Sequence, residues 1–281
     1  MYQLLNVSGN DADLFLQGQL TQDIDHLQSG KTLPAAWCTP KGRVVATMRL
    51  IRTVDGISLL LPSGIAAAFL QRISIYKLRS DVNLELQADS TGAAVQSAAD
   101  LKQLENANLL PDGVPGSCRS DNRKIAICIA TDPIVIEVLS PADDLQELGL
   151  KDPLQEPEWR STLIRSGSVQ ISTDNSEKFT PHMISLDLAG AVSFDKGCYT
   201  GQEIVARTEH RGKSRRRLAR YECDSTTIAV GDELYDGDKS VGLVVNTSAN
   251  DVLAVAPSDV HNKVLTLNKA DARPAPLPWQ K

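Results

Sequence analysis

Beyond Arg217 the sequence breaks into short apolar runs: Val241-Gly242-Leu243-Val244-Val245, Val252-Leu253-Ala254-Val255-Ala256 and Val264-Leu265-Thr266-Leu267. Gly, Asp and Asn turns part them, and turns at that spacing argue a small all-β barrel at the C-terminal end. The last stretch, Arg273-Pro274-Ala275-Pro276-Leu277-Pro278-Trp279, predicts an extended tail that packs back on the body.

The front of the chain has another texture. Leu4-Leu5-Asn6-Val7 reads as a strand, and Ser8-Gly9-Asn10-Asp11 supplies turn and N-cap chemistry for a helix. That helix is expected to bury Leu14, Phe15 and, at its end, Leu20. Trp37-Cys38, the turn Thr39 to Arg43, and Val44 to Ile51 read as strand, turn, strand. A strand at Ile57–Pro62, a helix near 65–76 and a strand near 82–87 follow. This order predicts an antiparallel sheet with helices on one face, an α+β arrangement. Residues 109–123 are polar and rich in Pro and Gly, and read as a crossing between domains. Strands near 125–130 and 134–139 precede helices near 141–148 and 157–166. Ser172 to Pro181 reads as a polar loop.

A chain of 281 residues holds one large domain or two to three smaller ones. No run approaches the roughly 18 apolar residues of a membrane span, and no secretory signal opens the sequence, so the cytoplasm is the expected compartment. The cysteines, 38, 118, 128, 198 and 223, are odd in number and widely spaced. That excludes a secreted disulfide framework, and none has metal-ligand spacing with the scattered histidines. No permanent metal site is expected.

Chemistry concentrates at Lys196-Gly197-Cys198-Tyr199-Thr200-Gly201-Gln202-Glu203. Backbone N–H groups at the start of the helix expected after it, and the charge of Lys196, favour a thiolate at Cys198. The alternative is a buried structural cysteine in a tight turn. From Lys196 to Arg220 there are eight basic and two acidic residues, so this window carries +6 on a chain of net charge −6. It suggests an anionic partner such as a polyglutamate tail, a phosphate or RNA. The alternative is a solvated segment whose arginines pair with nearby carboxylates. Trp159, on an expected amphipathic helix with Leu163 and Ser166, is either core or a stacking surface for a flat heteroaromatic ligand. No Ser/His/Asp triad, dinucleotide fingerprint or P-loop is present.

The run K-G-C-Y-T-G-Q-E resembles the signature of the YgfZ family of folate-binding proteins, relatives of the glycine-cleavage T-protein, an aminomethyltransferase. Phe15-Leu16-Gln17-Gly18-Gln19-Leu20-Thr21-Gln22-Asp23, Pro40-Lys41-Gly42-Arg43, Phe179-Thr180-Pro181-His182-Met183, Val192-Ser193-Phe194 and Ile204-Val205-Ala206-Arg207 resemble further family segments. Together they span nearly the whole chain.

The resemblance implies an α+β, three-domain ring closed by a C-terminal β-barrel. A discontinuous folate-binding domain would comprise residues 1–32 and 109–212, an inserted domain 33–108, and the barrel 213–281. It implies a tetrahydrofolate-binding factor for iron–sulfur cluster assembly or repair, indirectly supporting tRNA thiolation. The alternative is a folate-dependent aminomethyltransferase. The functional cysteine falls on Cys198, with Lys196, Gly197, Tyr199, Gly201, Gln202, Glu203 and Arg207 as its supporting motif, and the folate-contacting aromatics on Tyr2 and Trp159. Expected partners are folate and iron–sulfur enzymes or assembly proteins. Neither DNA nor a membrane is expected, and direct tRNA contact has no support, because only Tyr221 interleaves the basic strip. One departure stands out: relatives often carry glutamate where this chain has Arg165, and an arginine offers a pterin only donors.

Overall fold

The computed structural model describes residues 2–280 apart from 88–90, 122–123, 152, 211–213 and 226. The chain forms two compact units, each discontinuous in sequence. The first comprises Met1–Gly18, Gln22–Ala35 and Met48–Trp159; the second comprises Gln19–Thr21, Ala36–Thr47 and Arg160–Lys281.

The chain opens with strand β1 (Tyr2–Ser8) and helix α1 (Ala12–Gln19). Strands β2 (Thr32–Cys38), β3 (Val44–Thr53) and β4 (Gly56–Pro62) follow, then helix α2 (Ser63–Ile73) and strand β5 (Asn83–Leu86). They build a five-stranded sheet in the order β2-β3-β4-β1-β5. Helix α2 buries Ile65, Ala66, Phe69 and Ile73, an i, i+4 stripe, and closes in a 3-10 turn at Ser74–Tyr76. In α1 the buried residues are Ala12, Phe15 and Leu16, while Leu14 is 76% exposed. The expectation that Leu14 is buried is therefore corrected. Positions 12, 15 and 16 share one face, and 14 lies on the opposite side of a 3.6-residue helix.

Strand β6 (Thr91–Val95), helix α3 (Ala98–Asn106), and strands β7 (Cys118–Ser120), β8 (Ile125–Thr131) and β9 (Ile134–Ser140) come next. They make an antiparallel sheet in the order β6-β9-β8-β7. Ser97 caps α3 by accepting from Asp100 N. One face of this sheet buries Val95, Ala126, Cys128, Ile136 and Val138 with Leu104 of α3. The alternate positions, Glu137 among them, face the other way. Helices α4 (Ala142–Glu147) and α5 (Glu156–Arg165) follow, and the chain passes between units within α5, after Trp159.

The second unit contains helix α6 (Gln202–His210) and strands β10 (Arg216–Cys223), β11 (Glu233–Asp236), β12 (Lys239–Ser248), β13 (Asp251–Pro257), β14 (Leu265–Leu267) and β15 (Ala270–Ala275). The six strands close into a barrel in the order β10-β13-β12-β11-β14-β15, which leaves no free edge. Alternation divides its side chains between two cores. Ala219, Tyr221, Cys223, Val252, Ala254 and Ala256 form one. Leu218, Leu253 and Val255 join Ile164, Ile171, Phe179 and Val205 in the other. Each fully buried Leu or Val contributes roughly 1.5–3 kcal/mol. The tail packs back as expected: Leu277 is buried in the second core, and Trp279 lies over Gly167, where a side chain would overlap the indole. Among the described residues, no helix is long and apolar enough to cross a membrane.

Candidate functional site

The signature loop rests on a bed supplied by the segment after α1. Lys196 Nζ donates to Leu20 O at 2.9 Å, and Ser193 N donates to Thr21 O at 2.9 Å. Thr21 Oγ1 donates to Ala191 O at 2.7 Å while accepting from Ala36 N at 2.9 Å. Gln19 Oε1 accepts from both Thr200 Oγ1 and Trp37 Nε1, each at 3.3 Å. The residues of Q-L-T therefore hold a loop that lies about 180 positions later, through hydrogen bonds worth about 1 kcal/mol each.

A second lock is steric. Gly201 has φ +87°, and a Cβ there would overlap Thr39 O and lie 3.1 Å from Cys38 Cβ. Gly42, φ +67°, faces Ile204, whose Cβ would be 2.9 Å from an added side chain. Only glycine suits a left-handed backbone pressed this closely. The turn Pro40-Lys41-Gly42-Arg43 and the turn before α6 thus meet backbone to backbone. The segment through Phe179 joins them, because Val44 N donates to Phe179 O at 2.9 Å.

Cys198 sits exposed on this loop, while the other four cysteines are buried. Lys196 does not stand free beside it: its ammonium serves Leu20 O and lies 5.3 Å from the centre of the Tyr199 ring. Tyr199 is buried against the body with its hydroxyl unpartnered, and burial, reinforced by Cys38, pushes its ionisation well up. Burial likewise pushes the Cys38 thiol up to about 12, so it is an inert neighbour rather than a second nucleophile. Gln202 and Glu203 open α6, and Glu203 pairs with Arg207 across one turn at 2.5 Å, both exposed. Gly197 has open space where a side chain would stand.

Four arginines of the basic strip have partners within the fold. Arg216 Nη2 donates to Val241 O at 2.8 Å, Arg217 Nη1 donates to both oxygens of Asp187, and Arg220 Nε donates to Asp251 Oδ1 at 2.9 Å. Arg207 is on Glu203. At these positions the pairs match the alternative expectation, arginines engaged with nearby carboxylates and carbonyls; Arg211 and Lys213 lie outside the described residues. Arg165 is likewise engaged, its Nε donating at 2.9 Å to the second oxygen of Asp251. One group of metal-type ligands, His182, Asp187 and Glu209, comes within 4.8 Å among the described residues. Arg217 holds Asp187 at 2.6 and 2.7 Å, which puts a guanidinium where a metal ion would need that carboxylate.

A separate constellation lies within the first unit. Tyr2 of β1 and Trp159 of α5 are both buried, their ring centres 6.2 Å apart and tilted by 32°. The Arg49 guanidinium of β3 lies 5.6 Å from the Tyr2 ring centre and hydrogen-bonds the Tyr2 hydroxyl. It also pairs with Glu137 Oε2 of β9, a carboxylate with no exposure. Burial opposes the Arg49 charge, but Glu137 and Tyr2 outweigh it and hold the guanidinium above its ordinary value. Sequence reasoning passed over this pair. The available signal was a single charge in each of two apolar strands, Met48-Arg49-Leu50 and Ile136-Glu137-Val138, which marks a buried ion pair.

No family model matches the sequence. Curated relatives do. The tRNA-modifying protein YgfZ of Enterobacter sp. (strain 638) is 31% identical over 229 residues, covering 77% of this chain and 68% of its own. The chain belongs to the YgfZ family. The tRNA-modifying protein YgfZ of Edwardsiella ictaluri (strain 93-146) is 30% identical over 226 residues, covering 76% of this chain. The chain spans about two thirds of the length of these relatives, 68% and 66%. Among solved structures, the glycine cleavage system aminomethyltransferase T from Bartonella henselae superposes with a TM-score of 0.77 at 17% identity, over all of this chain and 85% of that one. The expected likeness to the T-protein fold is borne out, and so is the C-terminal barrel.

Proposed function

We propose that this protein is a tetrahydrofolate-binding factor that serves the assembly or repair of iron–sulfur clusters, and through them the thiolation of tRNA. The observation that carries the reading is Cys198, an exposed thiol on a loop locked by Gln19, Leu20 and the glycines 42 and 201. A cysteine sulfur presented to solvent on a rigid support suits transient ligation of iron in a cluster that passes through. The relatives' name, tRNA-modifying protein, supports the downstream end of this reading. The fold shared with an aminomethyltransferase supports the folate end.

The residues present suit a folate. Tyr2 and Trp159 are a buried pair of rings of the residue types on which a flat heteroaromatic system stacks, and Glu137, which pairs with Arg49, carries a buried oxygen without a hydrogen-bond partner. A reduced folate supplies a carrier for one-carbon units when bound. The chain's own residues do the holding: the two aromatics stack, and Arg49 fixes the Tyr2 hydroxyl. Lys196, Tyr199, Gly201, Gln202 and Arg207 keep the cysteine loop in place and take no chemical role. Cluster-bearing enzymes or assembly proteins would meet Cys198 from solvent, in the cytoplasm. We also propose the division into residues 1–32 with 109–212, 33–108, and 213–281. An aminomethyltransferase reading rests on the fold alone.

The test is complementation. Cells lacking the native protein and supplied with Cys198→Ala should fail to restore the activity of iron–sulfur enzymes that the parent restores. Full rescue by the variant would sink the cysteine-based role.

A further inference from the structure

Large apolar side chains gather in the open at one end of the five-stranded sheet. Val54, 99% exposed, stands at the tip of the β3–β4 hairpin. Leu14 is 76% exposed on α1, and Ile75 and Leu78 are 72% and 88% exposed in the link from α2 to β5. Backbone pairing brings these three places together. Gly56, at the foot of the hairpin, is registered against Ser8 of β1, and Ser8 against Asn83 of β5. Asp11 N donates to Asp81 O at 3.1 Å, and Asp81 N donates to Asp11 Oδ2 at 2.7 Å. Leu14 follows Asp11 by three positions, about one helical turn along the same side. All four residues lie within the first unit. A lone exposed leucine or valine is ordinary, whereas four at one end of a sheet make a patch.

The backbone at Leu78 is a second observation. Its φ is +45°, in the left-handed region that a leucine rarely adopts. The link is pinned on both sides of it: Lys77 N donates to Ser74 O at 3.2 Å, and Ser80 N donates to Lys77 O at 2.9 Å. A large aliphatic side chain is thus held outward at a position where glycine would sit without strain. Within one chain that arrangement buries no apolar surface.

Charge says what covers the patch. From Ser63 to Ser80 the sequence has Arg72, Lys77 and Arg79 and no carboxylate, so the link on the β5 side is basic. Asp11 and Asp13, where β1 turns into α1, and Asp55, at the hairpin tip, make the other side acidic. Arg52 pairs with Asp13 at 2.8 Å, whereas the exposed Asp55 and Arg79 enter no ion pair among the described residues. An anionic membrane or an RNA backbone presents one sign of charge, and the aspartates would repel it. A second copy of the chain presents both signs. A two-fold axis through the apolar side chains lays the basic link of each copy over the acidic turns of the other.

We propose that this end of the sheet is the two-fold interface of a homodimer, with Leu14, Ile75 and Leu78 at its apolar centre. The basic link of each copy faces Asp11, Asp13 and Asp55 of the other. The inference is independent of the folate reading.

The experiment is sedimentation equilibrium on the full chain, with a reducing agent present so that the exposed Cys198 forms no disulfide between copies. The parent should pass from the 30.4 kDa of one chain towards twice that mass as its concentration rises to about 100 μM. Leu78→Asp should weaken the dimer at least about tenfold and melt no lower than the parent, because aspartate tolerates a left-handed backbone better than leucine. Ile75→Glu, at a second exposed position, should weaken it similarly. Val264→Asp, at an exposed valine of the second unit, should leave the dimer unchanged. A parent that stays monomeric across that range overturns the inference. So does a dimer that survives either Leu78→Asp or Ile75→Glu, or one that dissociates equally with Val264→Asp.

Discussion

Gly42 and Gly201 touch backbone to backbone: a Cβ built on Gly201 would lie 3.3 Å from the Gly42 α-carbon. This contact, with the overlap at Thr39 O, is what holds the cysteine loop against the strand turn. Gly201→Ala would have to keep φ near +87° and push Thr39 aside. It should lose about 2 kcal/mol or more. Thermal melting should show a lower midpoint. Gly197→Ala, with open space at its Cβ, should melt like the parent.

The exposure of Cys198 gives a chemical prediction. A water-soluble thiol reagent at neutral pH should modify one cysteine in the native protein, and peptide mapping should find the label on Cys198. Cys38, Cys118, Cys128 and Cys223 are buried and should react only after unfolding. Because Cys198 packs against little, Cys198→Ala should change stability by no more than about 0.5 kcal/mol. Loss of its cellular function would then not be a loss of fold.

Burial of Cys38 makes the fold sensitive to alkali. Its thiol is raised from 9.0 to about 12, and the Tyr221 hydroxyl is raised from 10.0 to about 12. Above each unfolded value the unfolded chain gives up protons that the folded chain retains. The contribution to stability is therefore fully present below pH 9 and falls between pH 9 and about 12. Denaturant midpoints across that range should decline, and Cys38→Ala should decline less steeply.

Asp251 is a more critical carboxylate than its neighbours suggest. It is buried at 1% exposure, giving one oxygen to Arg220 and the other to Arg165. Asp251→Ala leaves the buried Arg220 guanidinium without that partner and should cost about 3 kcal/mol or more. The Arg165 side chain is 61% exposed, so Arg165→Ala should cost less than about 1 kcal/mol. Equal losses in urea denaturation would contradict this asymmetry.

What could be read from the sequence was local. The barrel followed from short runs and turns, and the cysteine loop from eight consecutive residues. What could not be read depended on partners far along the chain. Arg217 and Arg220 suggested an anion-binding strip because Asp187 and Asp251 lie 30 and 31 residues away. Strand β6, with Gly92, Ala93 and Ala94 at its centre, lacks the β-branched run that marks a strand. Helix α3 likewise carries few apolar residues. Arg49 and Glu137 lie 88 positions apart, so their pairing emerged only once two sheets were built.

The most direct test is an equilibrium titration of tetrahydrofolate followed by tryptophan fluorescence, with the parent and with Trp159→Leu. The account predicts a saturable change in the parent and its loss or marked weakening in the variant, with both proteins folded by thermal melting. A parent signal that never saturates, or a variant that binds as tightly as the parent, would contradict it.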